Sequence, residues 1–319
     1  MLSRTLSDTL GHTLGHTLGR ASRSTRARRA VESFPVTRRV VDRFVPGETT
    51  ADAVEASAAL IATGRSVTID VLGEDVRDVA GARATRDAYR HLLQALAEAG
   101  CAAGSDVSLK LSALGQALPD GPAIATEHAA DVCDAAAALG CTVTLDMEDH
   151  TTTDATLAAG GQLRSSYPWI GNVLQTNLRR TPGDIAALDG TGARIRLVKG
   201  AYREPASVAL QRKADVDRAY EAAIDALMTS DCYPMIATHD PAMLDRAIDR
   251  AAAAGRGTDR WEVQMLYGVR RDLEQQIVDE GLRMRVYLPF GTDWYGYFMR
   301  RLAERPANVA FFLRALAHR

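Results

Sequence analysis

The sequence predicts an α/β protein folded as a (β/α)8 barrel, and three observations predict it. From Val67 onward, short runs rich in β-branched residues alternate with alanine-rich helical stretches, and the alternation repeats about eight times. Nearly every short run ends in a polar side chain, as expected of strands whose carboxyl ends open on a catalytic mouth. No run is followed by a glycine-rich phosphate turn: residues 67–72 lead into Gly-Glu-Asp-Val, and no GxGxxG opens a later helix. A doubly wound open sheet is the competing architecture, and it would show about five or six strands.

The elements are read in chain order. Residues 1–30 form an extension rich in Ser, Thr and Arg with one acidic residue and the echo GHTLGHTLG. Its alternatives are a transit peptide, a frayed basic tail, and a basic face for an anionic membrane surface. Residues 31–66, with Pro35, Pro46 and Gly47, are expected to be a helical arm, and residues 67–319 the barrel. Strands are expected at 67–72, 107–111, 142–146, 172–176, 195–198, 235–237, 263–266 and 284–287. Helices are expected over 85–99 and 124–139, stopped by Gly100 and Gly140, and over 213–228. Pro182, Pro241 and the run 151–154 mark helix starts after strands four, six and three. Strand middles should be apolar in such a barrel.

Composition narrows the function. With 46% hydrophobic and 24% charged residues the chain has ample core, and 38 basic against 40 acidic residues leave no field that would favour a polyanion. The four cysteines, Cys101, Cys133, Cys141 and Cys232, lie in apolar surroundings without metal-ligand spacing and read as reduced core thiols, in keeping with a cytoplasmic protein. No apolar run reaches the roughly 20 residues of a membrane span. His239 lacks a second ligand at helical or strand spacing, and no histidine pairs with a nucleophile in a known motif, so metal and hydrolytic chemistry are unsupported.

The candidate site residues are those at strand ends. Lys110, Asp146, Gln175 and Arg196 interrupt otherwise apolar strand sequence, so folding buries them against partners or a ligand. Glu148, Lys199, Tyr202, Thr238, His239, Gln264, Tyr267 and Tyr287 also stand at strand ends. Singly, each is an ordinary loop residue; together they line a mouth. Beyond strand eight, Tyr297, Arg300, Arg301 and Glu304 share one helical face. An Arg–Glu surface pair is the plain reading of that stripe, but next to the mouth two guanidiniums make a carboxylate clamp.

These segments resemble the barrel motifs of proline dehydrogenase: KLSAL at Lys110, LDMED with Asp146, RLVKGAY from Arg196 to Tyr202, ATH ending at His239, and YFMRRLAE from Tyr297 to Glu304. DVLGE from Asp70 and YLPFGTDW from Tyr287 extend the likeness, which spans about residues 66–310 in the right order and departs at Arg203, where the family often has an aromatic. The resemblance implies a distorted barrel with its last helix over the mouth, FAD as oxidant, and L-proline as substrate converted to 1-pyrroline-5-carboxylate. It implies catalytic roles for Asp146 and Arg196, substrate contacts from Lys110, Tyr287, Tyr297, Arg300 and Arg301, and an FAD site around Met147, Gln175, Arg196, Lys199, Gly200, Ala201, Thr238, His239 and Glu304. Asp146 would orient either Lys110 or Arg196, and Glu74 would pair with Arg300 as a gate. A quinone acceptor, peripheral contact with the inner face of the membrane, and a separate aldehyde dehydrogenase partner are further implications. A barrel enzyme acting on hydroxyproline and a non-catalytic anion-binding barrel are the alternatives.

Overall fold

Alternate residues of the strands face opposite sides of one closed sheet, and that alternation organises the molecule. The computed structural model describes residues 41–73 and 76–304, with side chains through Arg301. Among them the strands are β1 (Ser66–Val71), β2 (Ser105–Leu109), β3 (Thr142–Leu145), β4 (Gly171–Gln175), β5 (Arg194–Val198), β6 (Tyr233–Ala237), β7 (Glu262–Leu266) and β8 (Met284–Phe290). They pair in parallel in sequence order, and β8 closes on β1 through Ser66↔Arg285 to Val71↔Phe290. A helix follows each strand: α2 (Val79–Glu98), α3 (Gly121–Leu139), α4 (Thr153–Arg164), α5 (Thr181–Leu188), α6 (Lys213–Thr229), α7 (Pro241–Ala253), α8 (Arg271–Asp279) and α9 (Trp294–Glu304), with α1 (Thr50–Ile61) ahead of the barrel.

Local chemistry explains most boundaries. A capping box starts α1, in which Thr49 and Asp52 satisfy each other's backbone N–H groups. The first barrel helix, α2, begins at Val79 rather than at 85, because Asp78 accepts a 2.7 Å hydrogen bond from the Gly81 N–H and captures the extra turn. Pro182 and Pro241 stand in the first turns of α5 and α7, as expected. Strand β2 begins two residues earlier than its apolar run, because the buried Asp106 carboxylate is satisfied by Thr68, Thr142 and Thr144 hydroxyls and does not interrupt the ladder. The eighth strand runs past 287 to Phe290, with Pro289 opposite Asp70; β7 stops pairing at Leu266↔Tyr287, so the proline lies where β8 is an edge on that side.

The outward positions are apolar. Val67, Ile69, Val107, Leu109, Val143 and Leu145 pack against helices on one half of the ring, and Ile195, Leu197, Ile236, Val263, Met265 and Val286 on the other. Burial there supplies the main driving force for closure. The inward positions overturn the expectation of apolar strand middles: Thr68, Asp70, Asp106, Ser108, Thr144, Arg196, Glu262, Gln264 and Arg285 are all buried and polar. Such groups are tolerated because their charges are matched and most of their hydrogen bonds made.

At the mouth, segment 41–48 is tied to the loops after β7 and β8. Arg43 Nε donates to the Gly268 carbonyl (3.1 Å), the Gly291 N–H to the Gly47 carbonyl (3.2 Å), and Trp294 Nε1 to Glu48 (3.0 Å). Val41, Phe44 and Val45 share a small core with Leu72, Trp294, Phe298 and Met299, which seats α9 beside the end of β1. The extension 1–30 lies outside the described residues.

Candidate active site

Two clusters of buried and half-buried side chains meet below the mouth, each assembled from several strands. In the first, Arg196 from the middle of β5 spans the lumen. Its Nη1 donates to Asp146 (2.8 Å) at the end of β3 and to Ser108 Oγ (2.9 Å) on β2, while Nε donates to Gln264 Oε1 (2.7 Å) on β7. Tyr287 on β8 donates to the other Asp146 oxygen (2.7 Å), and the guanidinium lies over its ring, 5.2 Å from the centroid. Burial first, then the negative charges of Asp146 and Asp70, hold the Tyr287 hydroxyl far above the ordinary tyrosine range, so it remains a donor.

In the second cluster, Lys110 just past β2 places Nζ 2.8 and 2.6 Å from the two oxygens of Asp70 on β1. Both side chains are buried. Tyr89 Oη donates to the Ser108 carbonyl (2.6 Å) and lies 3.4 Å from Asp70. The sequence leaves open whether Asp146 orients Lys110 or Arg196; the structure selects Arg196, because Asp70 reaches Lys110 from the adjacent strand.

A floor lies beneath both. Arg285 on β8 makes a two-pronged contact with Glu262 on β7 (2.6 and 3.1 Å), and Asp106 stands between Arg194 (3.3 Å) and Arg196 (3.5 Å). Burial pushes the Asp106 and Glu262 carboxyls up, but neighbouring arginines outweigh it, led by Arg194 and Arg285 respectively, and both are held below the ordinary carboxylate range. The lumen thus sets the carboxylates Asp70, Asp106, Asp146 and Glu262 against the cations Lys110, Arg194, Arg196 and Arg285, four against four.

The remaining site residues stand around the rim. Gln175 Nε2 donates to the Glu148 carbonyl (2.8 Å), and the Glu148 carboxylate accepts from the Ser112 N–H and hydroxyl, tying the loops after β2, β3 and β4. Met147 is buried beside them. Lys199 pairs with Asp217 (2.6 Å) and lies 3.4 Å from Asp240, so its charge is already engaged. Gly200 has φ +103, and a Cβ there would sit 2.2 Å from Asn177 Oδ1; this tight cradle beside half-exposed strand ends requires glycine, with Ala201 following on the surface. Thr238 is buried, and His239 Nε2 accepts from the Leu266 N–H (2.9 Å), which leaves the ring proton on Nδ1. Tyr297 is buried on α9 with the Arg301 guanidinium over its ring at 5.2 Å, while Arg300 is exposed. Glu74 and the Glu304 side chain lie outside the described residues.

Sequence reasoning assigned no role to Asp70, Asp106, Ser108, Glu262 or Arg285. Their signal is the period-two pattern in SVTIDV, SDVSL, EVQML and MRVYLPF, which places a polar residue at every other position of a parallel strand that would ordinarily read as continuously apolar.

Fold and site together define a (β/α)8-barrel enzyme whose mouth opens over a buried array of arginines and carboxylates. The family model for proline dehydrogenase matches residues 53–314, and the chain belongs to that family. It is 41% identical over 280 residues to a proline dehydrogenase of Deinococcus radiodurans, covering 87% of this chain and 90% of the relative. Proline dehydrogenase 2 of Bacillus subtilis is 41% identical over 254 residues, covering 79% and 82%. In three dimensions the chain resembles proline utilization A from Bdellovibrio bacteriovorus, with TM-score 0.78 and 25% identity over 84% of this chain and 33% of that one. The chain therefore spans about a third of that solved protein and most of the single-activity relatives. Among the described residues no helix is long and apolar enough to cross a membrane, and no cluster of three or more potential metal ligands is found.

Proposed function

We infer that this chain oxidises L-proline to 1-pyrroline-5-carboxylate, the first step of proline catabolism, with FAD as oxidant. The observation that carries the reading is Arg196: a guanidinium buried in the lumen, held on its Nε and Nη1 sides by protein groups, whose Nη2 makes no hydrogen bond and lies 3.5 Å from Asp106. A fixed cation of this kind suits a flavin, whose ring gains negative charge on reduction. The Lys199 charge and the small Gly200–Ala201 pair after β5 suit the neighbourhood of a pyrophosphate, while the Asn177 amide fills the space directly beside Gly200.

When bound, FAD would supply the two-electron acceptor for hydride from the ring carbon that bears nitrogen. The protein residues do the rest. Arg300 and Arg301, with Lys110, anchor the substrate carboxylate by charge-assisted hydrogen bonds, and their positive field lowers the amine pKa so that the nitrogen sheds its proton before hydride leaves. Tyr287 and Tyr297 wall the ring. Asp146 orients Arg196 and Tyr287 together. Met147, Gln175, Ala201, Thr238, His239 and Glu304 complete the cofactor's surroundings. In this reading residues 67–319 are the catalytic barrel and 31–66 an arm, while the basic extension 1–30 provides contact with the inner face of the membrane, where a quinone accepts the electrons. A separate aldehyde dehydrogenase of the cytoplasm consumes the product.

Purified protein tests the reading directly. It should be yellow, and adding proline without oxygen should bleach the flavin band; a protein that takes up no FAD sinks it. Arg301→Met should raise KM for proline about 10- to 100-fold, the worth of a charge-assisted pair, with FAD affinity little changed. Equal losses of both would mean that the arginine is structural.

A further inference from the structure

Besides the carboxylates of Asp146 and Asp106, Arg196 is held by a side chain that carries no charge. Its Nε–H donates to Gln264 Oε1 at 2.7 Å, and Gln264 Nε2 donates in turn to Glu262 Oε1 at 2.7 Å. An amide can face either way, and here its direction is determined. Glu262 is ionised, so it only accepts, and the NH2 end of Gln264 must point at it. The carbonyl end is then left for Arg196. Glu262's own charge is taken up by the fork of Arg285, which is itself anchored on the Val67 and Gly104 carbonyls at 2.8 and 2.9 Å. The chain of contacts therefore runs from the amino end of the barrel to the guanidinium beneath the mouth, and every member is buried.

A carboxylate at 264 would also fix Arg196, and more strongly. It would be a third carboxylate around a guanidinium that already faces Asp146 at 2.8 Å and Asp106 at 3.5 Å, and would tip the lumen toward net negative charge where a reduced flavin needs positive charge. A glutamine fixes the group without adding to the charges of Asp146 and Asp106, provided that something holds the amide in one orientation.

We propose that Gln264 is a positioning residue for Arg196, and that Glu262, matched by Arg285, sets the direction of its amide, so that a neutral carbonyl completes the hold on the guanidinium and adds no negative charge to those of Asp146 and Asp106. This rests on the reading that a flavin lies beside Arg196.

The test uses the FAD-loaded full chain and two variants. Gln264→Met removes both hydrogen bonds at similar length; kcat should fall about tenfold with KM for proline within about twofold, since Lys110, Arg300 and Arg301 are untouched. Gln264→Glu keeps the acceptor but adds a charge. Its flavin should become about tenfold harder to reduce, a midpoint potential lowered by about 30 mV for a two-electron couple, measured by reductive titration without proline. If Gln264→Met does not fold, the potential of Gln264→Glu decides alone. A wild-type protein that binds no FAD, or whose flavin proline does not reduce, overturns the functional reading and this inference together. A competent wild type whose variants keep its kcat and midpoint potential overturns the inference alone.

Discussion

Along β5, Arg194 and Arg196 face the lumen while Ile195 and Leu197 face the helices, and β1, β2, β7 and β8 repeat the arrangement. The two faces of this sheet are held by different physics. Outside, apolar side chains of similar volume fill the space between strand and helix, and no single partner is prescribed. Inside, each charge needs particular counterparts: Asp70 for Lys110, Asp146 for Arg196, Glu262 for Arg285, and Asp106 for Arg194 and Arg196 together. The outer face keeps the barrel closed, and the inner face spends part of that stability on holding cations where a reaction needs them.

Removing one member from each face should separate the two roles. Asp106→Ala leaves Arg194 and Arg196 without their shared carboxylate and should cost about 3–5 kcal/mol, read as a shift in the denaturant midpoint; a cost below about 1 kcal/mol would mean that the lumen charges are solvated. Next in size, Arg196→Met should lower turnover about 10²- to 10³-fold, with the loss in kcat rather than in KM. Leu197→Ala, one residue along on the outer face, should cost about 2–4 kcal/mol of stability while the folded fraction keeps the wild-type kcat. If Leu197→Ala damages kcat as much as Arg196→Met, the contrast between faces fails.

A smaller effect comes from pH. The Asp106 and Glu262 carboxyls are held below their ordinary values in the folded protein, so their stabilisation is complete above the unfolded value of about 4 and is lost as pH falls through the lower folded values. Thermal midpoints should be flat from neutrality to about pH 5 and fall below about pH 4, and Glu262→Gln should blunt that fall. Smallest of all, burial pushes the Cys133 and Cys141 thiols up to about 12 and about 11, so alkylation of the native protein at pH 8 should be slow and become fast only on unfolding.

Much of this was legible beforehand. Eight strand runs, the proline starts of α5 and α7, and the polar strand ends all lie in local pattern, and so does the family likeness. Lys110, Asp146 and Arg196 stood out because a charge inside an apolar run is costly. Their partners did not stand out. Lys110 and Asp70 are 40 residues apart, Arg196 and Gln264 are 68, and Asp146 and Tyr287 are 141, so no local pattern pairs them. The expectation of apolar strand middles failed for the same reason: Asp106 looks like a break in β2 until three threonine hydroxyls from β1 and β3 close around it.

Local pattern sets the number and order of the strands, the proline-marked starts of α5 and α7 and the kinds of chemistry available, because propensity, capping and period act over a few residues. Tertiary structure alone decided which face of each strand is the lumen, which carboxylate each cation takes, and that Arg196 rests on a neutral amide. Those choices depend on the closure of β8 on β1, which brings side chains from opposite ends of the chain into one desolvated space where only matched charges persist.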